Sequence, residues 1–196
     1  MLISRHQNAK SAVKASETST VTLKGNQDQL MTIKATGNHS PSRLASRTGT
    51  TITTDKMLII TEGESSEWFK VHDGATAIVN NGIINGEGES CNTDLLVFGA
   101  KSNLKRNNIA ITLDGAHGEG VVAERGAKVK IEDITINSTE EDFVGLLTQN
   151  QSQLKGKNIT INAKAKNSRG VTALTNREVV IEEIKIISKK ENFYGM

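Results

Sequence analysis

Aromatic residues make up only 3% of this 196-residue chain, so a globular core built on Phe, Tyr and Trp is not available to it. A single proline rules out collagen-like or proline-rich linker readings, although 17 glycines are present. Cys91 stands alone, which excludes an intramolecular disulfide or a cysteine-based metal site. No run approaches the roughly 20 apolar residues of a membrane helix. The opening "MLISRHQNAKSAVKASETST" lacks the roughly 7–15-residue apolar stretch of a signal peptide. The net charge of +2 is too balanced to point to nucleic acid. The charge is unevenly spread: residues 1–50 carry seven Lys/Arg against Glu17 and Asp28, whereas the remainder carries 17 basic and 20 acidic residues. A basic N-terminal arm is the functional reading of that split, and a solvated, loop-rich face is the plainer one.

What the chain does have is a period. Gly120, Gly145, Gly170 and Gly195 recur every 25 residues. With the units aligned, Val129, Leu154 and Val179 share a column, as do Ile134, Ile159 and Ile184, and Ile136, Ile161 and Ile186. Leu104, Ile109 and Ile111 fall into the same columns one unit upstream. Internal periods of this length mark stacked repeats. Each unit contains three short alternating pieces, "GVVAE", "AKVKI" and "DITIN", and alternation at period two means a strand with one face buried. Three strands and three corners per unit describe one coil of a right-handed parallel β-helix, an all-β solenoid of about 25 residues per coil. Such coils stack about 4.8 Å apart. A narrow coil is filled by stacked Val, Ile and Leu, which accounts for the missing aromatics.

The outward columns support this register. Glu132, Lys157 and Glu182 alternate in sign along one column, and Glu141, Lys166 and Glu191 along another. Asp142, Asn167 and Asn192 share a turn column, where short polar side chains cap bends. Upstream, "GATAIVNNGIING" matches the Gly126–Ser138 segment at an offset of 52, two units plus an insertion. The solenoid is expected over 21–196, most regular from 95 onward and open at its C-terminal end, with 1–20 an irregular cap or arm. "TGNHSPSRLASRTG" reads as a loop between coils, with Pro41 where no ladder N–H is needed.

The phrase "GVVAERGAKVKIEDITINS", a G-V-x-x-x-x-G-A-x-V-x-I coil followed by further coils, resembles the passenger domains of autotransporters, above all the pertactin-like group. The resemblance is clear over 74–196 and stylistic elsewhere. It implies a bacterial protein exported through the outer membrane by its own C-terminal barrel. Such a protein is displayed at the cell surface or secreted as an adhesin or other virulence factor. The chain departs from that pattern in three respects. No signal peptide precedes it, no translocator barrel follows, and the nearest string to an adhesive Arg-Gly-Asp is Arg169-Gly170-Val171. It therefore reads as a fragment: an engineered piece, a truncated gene product or part of a longer passenger.

Parallel β-helices also serve as polysaccharide lyases, glycosidases and tailspikes, so a carbohydrate-active enzyme is the alternative. The candidate acids are Glu140, Glu141 and Asp142, with Asp114 and His117 in "LDGAHGEG" a second cluster. All fall in expected turns, where charged residues ordinarily face water. Sugar grooves want aromatic platforms, and only Trp68, Phe69, Phe98, Phe143, Phe193 and Tyr194 exist. Phe143 and Phe193 share a column, which suits corner packing. His72, Asp73, Asp114 and His117 are the candidate metal ligands, but turn chemistry explains them more simply. The calcium-binding solenoid repeat is missing, and "NGEGES" (Asn85–Ser90) lacks the ending of a phosphate loop. The sequons at Asn137, Asn150 and Asn158 are the kind that arise by chance in an Asn/Thr-rich chain. The reading is thus a non-catalytic passenger with no catalytic, cofactor or metal residues. Its partners would be a host surface protein or glycan, with no nucleic acid and no membrane insertion of this segment. Binding loops are expected at 36–50, 62–74 and 86–94, and end-to-end self-association through the open last coil.

Overall fold

Strict alternation in the sequence becomes strands that stack coil upon coil. A computed structural model describes residues 2–4, 11–26, 28–36, 42–63, 68–88, 93–175 and 177–188. From the N-terminus, β1 (Leu2–Ser4), β2 (Val13–Ala15), β3 (Thr20–Lys24), β4 (Met31–Ala35) and β5 (Arg43–Ser46) are short. Long and short strands then alternate: β6 (Thr51–Thr61), β7 (Phe69–His72), β8 (Thr76–Gly86), β9 (Thr93–Phe98), β10 (Asn103–Leu113) and β11 (Glu119–Glu124). The series ends with β12 (Lys128–Ser138), β13 (Val144–Thr148), β14 (Gln153–Ala163), β15 (Arg169–Ala173) and β16 (Glu178–Ser188). The described residues contain no helix, and all the described pairings are parallel. The long strands form one sheet, in the order β6-β8-β10-β12-β14-β16, and the short ones another, β5-β7-β9-β11-β13-β15. The result is a β-solenoid of about six turns with about 25 residues per turn.

The three straight pieces per coil survive in a different form. Each long strand is a single eleven-residue element bent at its sixth residue, which takes the left-handed conformation: Lys56, Asn81, Asn108, Asp133, Asn158 and Glu183, with φ between 48° and 60°. These residues have no register partner, so each strand bends there into two legs. Asn and Asp dominate the column because they tolerate this conformation best among non-glycine residues. They also bond along the stack. Asn81 Nδ2 donates to Asp55 Oδ1 (2.8 Å), Asn108 Nδ2 to Asn81 Oδ1 (2.8 Å) and Asn158 Nδ2 to Asp133 Oδ1 (2.7 Å).

The core runs along the axis as ladders of like residues. Ile84, Ile111, Ile136 and Ile161 are consecutive register partners or their extension, and all are at most 1% exposed. Glycine recurs at 120 and 145 because the next coil comes close. A Cβ on Gly120 would lie 2.6 Å from the Gly145 carbonyl oxygen, and one on Gly145 2.6 Å from that of Gly170. No real Cβ tolerates such a contact with backbone. Gly195 lies outside the described residues.

The sequence register holds through the upstream insertion. Thr76 pairs with Asn103, 27 residues on, whereas Asn103 pairs with Lys128, 25 residues on. The two extra residues sit one in each connection, since 87–92 and 99–102 are each one residue longer than 114–118 and 125–127. Two expectations need correction. The stretch taken as a loop between coils contains β5, paired in parallel with both β2 and β7. Likewise 62–74 contains β7 and 86–94 the start of β9, so the period-breaking regions supply sheet as well as connections. Paired strands also reach back into 1–20, through β1 on β4 and β2 on β5. Pro41, Glu191, Asn192, Phe193 and Tyr194 lie outside the described residues.

Candidate functional site

The fold brings together two residues that the sequence treated as separate clusters. His117 and Asp142 occupy equivalent turns of adjacent coils, both left-handed (φ 57° and 56°). His117 Nδ1 lies 3.5 Å from Asp142 Oδ2, and its backbone N–H donates to the Glu141 carbonyl at 3.1 Å. Asn167, one coil further, repeats the conformation (φ 56°). Both side chains are wet, so this is an exposed polar contact across a turn stack that adds little to stability. Glu140 is engaged by its own turn: its N–H donates to Ser138 Oγ (3.3 Å), and its carboxylate accepts from Thr139 (3.3 Å). Glu141 and Asp114 are exposed.

His72 and Asp73 lie elsewhere, on the short-strand side and its turn. His72 Nδ1 is 2.8 Å from Asp73 Oδ2, and the ring stacks on its register partner Phe98, with centroids 5.0 Å apart and planes 6° apart. Lys70 Nζ sits 5.7 Å from the Phe98 ring centre. Phe98 is thus an outer platform shared by a histidine and a cation. The two His–Asp fragments are not brought together, and the described residues contain no group of three His, Cys, Asp or Glu able to hold a metal.

Two features escaped the sequence reading. Glu119, on β11, is largely buried. Burial pushes its carboxyl above the usual range and the nearby Glu124 charge adds to this, while a 2.9 Å hydrogen bond from Thr93 Oγ1 opposes it. The second feature is an aromatic–arginine cluster in the upper core. Arg43 is fully buried and Arg106 is 2% exposed. Each guanidinium carbon lies 4.9 Å from the Trp68 ring centre, and Arg43 also lies 5.3 Å from Phe69. Trp68 and Phe69 meet edge to face at 5.5 Å. Burial first, and the Arg106 charge second, pull the Arg43 guanidinium down to about 9. None of its nitrogens finds a hydrogen-bond partner among the described residues. Arg106 was legible, because it stands in the inward column that continues as Ile131, Gly156 and Ile181. Arg43 was not, because the register upstream of β6 is broken by insertions.

Trp68, Phe69 and Phe143 are all buried, so they serve packing and offer no sugar platform. Three surface grooves of about 290, 390 and 380 Å³ run along the long strands. None of them is lined by Glu140, Glu141, Asp142, Asp114 or His117. The candidate acids therefore stand on exposed turns, away from these grooves. Among known proteins no family model matches the chain, and no curated protein and no solved structure matches it.

Proposed function

We propose that the chain is part of a non-catalytic bacterial passenger of the autotransporter kind, displayed at the cell surface or secreted, whose solenoid is a stiff support for adhesin-like binding. The observation that carries this reading is the regularity of the coils. The parallel ladder runs unbroken from β6 to β16, and the connections 36–42, 62–68 and 87–92, each longer than the equivalent 114–118, 139–143 and 164–168, follow the same end of the long-strand sheet in three successive coils. A rigid array that clusters its variable connections on one corner suits binding at that corner. Residues 37–41, 64–67 and 89–92 of those connections lie outside the described residues.

The test is a paired assay on immobilised host-surface proteins and glycans and on a panel of acidic and bacterial-surface polysaccharides. Binding without release of reducing ends supports the reading. Depolymerisation that disappears in Glu141→Gln or Asp142→Asn would establish the carbohydrate-active alternative instead. Display is tested by antibody labelling of intact cells of the source organism. The outer edge of β16 has no partner strand among the described residues, so a polypeptide of these 196 residues should associate end to end. Sedimentation velocity reads this directly, and a strict monomer would contradict it.

A further inference from the structure

One outward column of the long-strand sheet breaks the rule its neighbour follows. On the first legs of β10, β12 and β14, Lys105, Lys130 and Lys155 are direct register partners, and all three are exposed. Adjacent strands are about 4.8 Å apart, so three ammonium stems rise from successive coils at strand spacing. Like charges set directly opposite one another destabilise a sheet. The next column on the same legs avoids this, running Asn107, Glu132, Lys157 and Glu182. Lys128 and Lys157 flank the ladder, leaving Glu132 as the one carboxylate among the outward residues of these three first legs, with Asp133 at the bend beside it. Lys130 Nζ is 4.0 Å from Glu132. Lys105, Lys128, Lys155 and Lys157 make no ion pair among the described residues. The ladder is bounded at both ends: its column continues as Ile78 on β8 and Val180 on β16, where Glu178 and Glu182 stand on either side.

We propose that this face docks a linear acidic polysaccharide, a polymer bearing a carboxylate or sulfate on successive sugar units, laid along the solenoid axis. A one-dimensional array of cations on a straight support is complementary to a one-dimensional array of anions. Lysine ammonium groups act as flexible point charges, which suits carboxylates or sulfates of variable orientation better than a single planar ligand. The grooves between the stems, about 290 and 390 Å³, are open along the face and suit a chain passing over them. Single-stranded nucleic acid fits less well, because its bases need aromatic stacking platforms. The outward residues of these legs include none, and Phe98 belongs to the other sheet. An anionic membrane fits less well too, since the same residues include no apolar side chain to enter the interface. The binding surface is therefore part of the regular scaffold, separate from the corner connections and independent of how the protein is exported.

The experiment measures binding of the full chain to heparin (sulfated) and polygalacturonate (carboxylated) as a function of salt, with neutral dextran, poly(dT) and anionic vesicles alongside. Affinity should fall with salt. The triple variant Lys105→Gln/Lys130→Gln/Lys155→Gln should lose about tenfold or more at physiological salt, with a salt slope shallower by about one per lysine removed. A control that removes the same charge from exposed turns, Lys101→Gln/Lys164→Gln/Lys166→Gln, should stay within about twofold of the parent. Removing stacked like charges should leave the thermal midpoint no lower, so lost binding is not lost folding. If the triple variant nevertheless fails to fold, Lys130→Gln alone must still weaken binding. Equal losses in the two triples, or binding to poly(dT), vesicles or dextran as tight as to both acidic polysaccharides, overturns the proposal. Cleavage of a bound polysaccharide, or failure to find the protein at the cell surface, would instead overturn the non-catalytic passenger reading and leave the docking face standing.

Discussion

Substituting Gly145 by alanine separates two explanations of the recurring glycine by the sign of the effect. If glycine were present only for flexibility, alanine would restrict the unfolded chain and stabilise the protein by about 0.4–1 kcal/mol. The structure demands the opposite. A Cβ there would lie 2.6 Å from the Gly170 carbonyl oxygen, 2.9 Å from Ile161 Cδ1 and 3.0 Å from Ile161 Cγ2. The nearest atom is backbone, pinned by the ladder of Leu146 on Val171, so relief requires the coils to part. Overpacking of this kind costs about 1–3 kcal/mol. Offset by the chain-entropy gain, the net loss is about 1–2 kcal/mol, a fall in thermal midpoint of about 2–8 °C for a chain this size. Urea unfolding followed by far-ultraviolet circular dichroism measures it as a lower midpoint at constant slope. The companion variant Ile161→Val removes the Cδ1 contact and leaves the carbonyl, so combining it with Gly145→Ala should not rescue stability. A more stable Gly145→Ala, or full rescue by Ile161→Val, would refute the close-approach account.

Arg43→Met replaces a buried cation that lacks a hydrogen-bond partner among the described residues with an apolar side chain of similar length. It should raise stability by about 1–4 kcal/mol in a thermal melt, whereas a lower midpoint would show that the guanidinium contributes more than its desolvation costs. Glu119 has a folded-state carboxyl raised above its unfolded value, so the folded state holds its proton more tightly. That contribution is complete below the ordinary carboxylate range and is lost as pH rises through the raised value. Glu119→Gln, which still accepts from Thr93, should therefore melt higher than the parent at pH 7, with the gap closing as pH falls through the carboxylate range; a constant gap would contradict the shift. Asn158→Ala removes the bond to Asp133 and places alanine at φ 51°, whereas Asn158→Gly removes only the bond. The alanine variant should be the less stable of the two by about 1 kcal/mol in urea unfolding.

The regular half of the molecule was open to reading because its information is local and repeated. Alternation in "KVKIEDITIN" depends only on which side of the backbone successive residues leave, and identical spacing in four units leaves one stacking register. Ile134 on Ile159, Glu132 on Lys157 and the two-residue insertion upstream all follow from aligned columns, and the structure pairs them so. The bend inside each long strand was hidden because a single left-handed residue between two alternating legs looks, in sequence, like a gap between separate strands.

The sequence by itself determined the all-β solenoid, its coil length and the identity of the inward columns, because hydrophobic alternation and a constant period leave no other way to bury those faces. It did not determine who meets whom across the breaks. Connections such as 62–68 and 87–92 change length while the ladder keeps its hydrogen-bonded register, so sequence offset there ceases to report spatial neighbours. Only the tertiary structure set Arg43 against Trp68 and drew Thr93 onto Glu119, whereas His117 and Asp142, 25 residues apart, already share a column of the repeat. The lysine ladder belongs to both: its column is written in the repeat, but that Lys105 and Lys155 stand there without a carboxylate in reach is a property of the folded face alone.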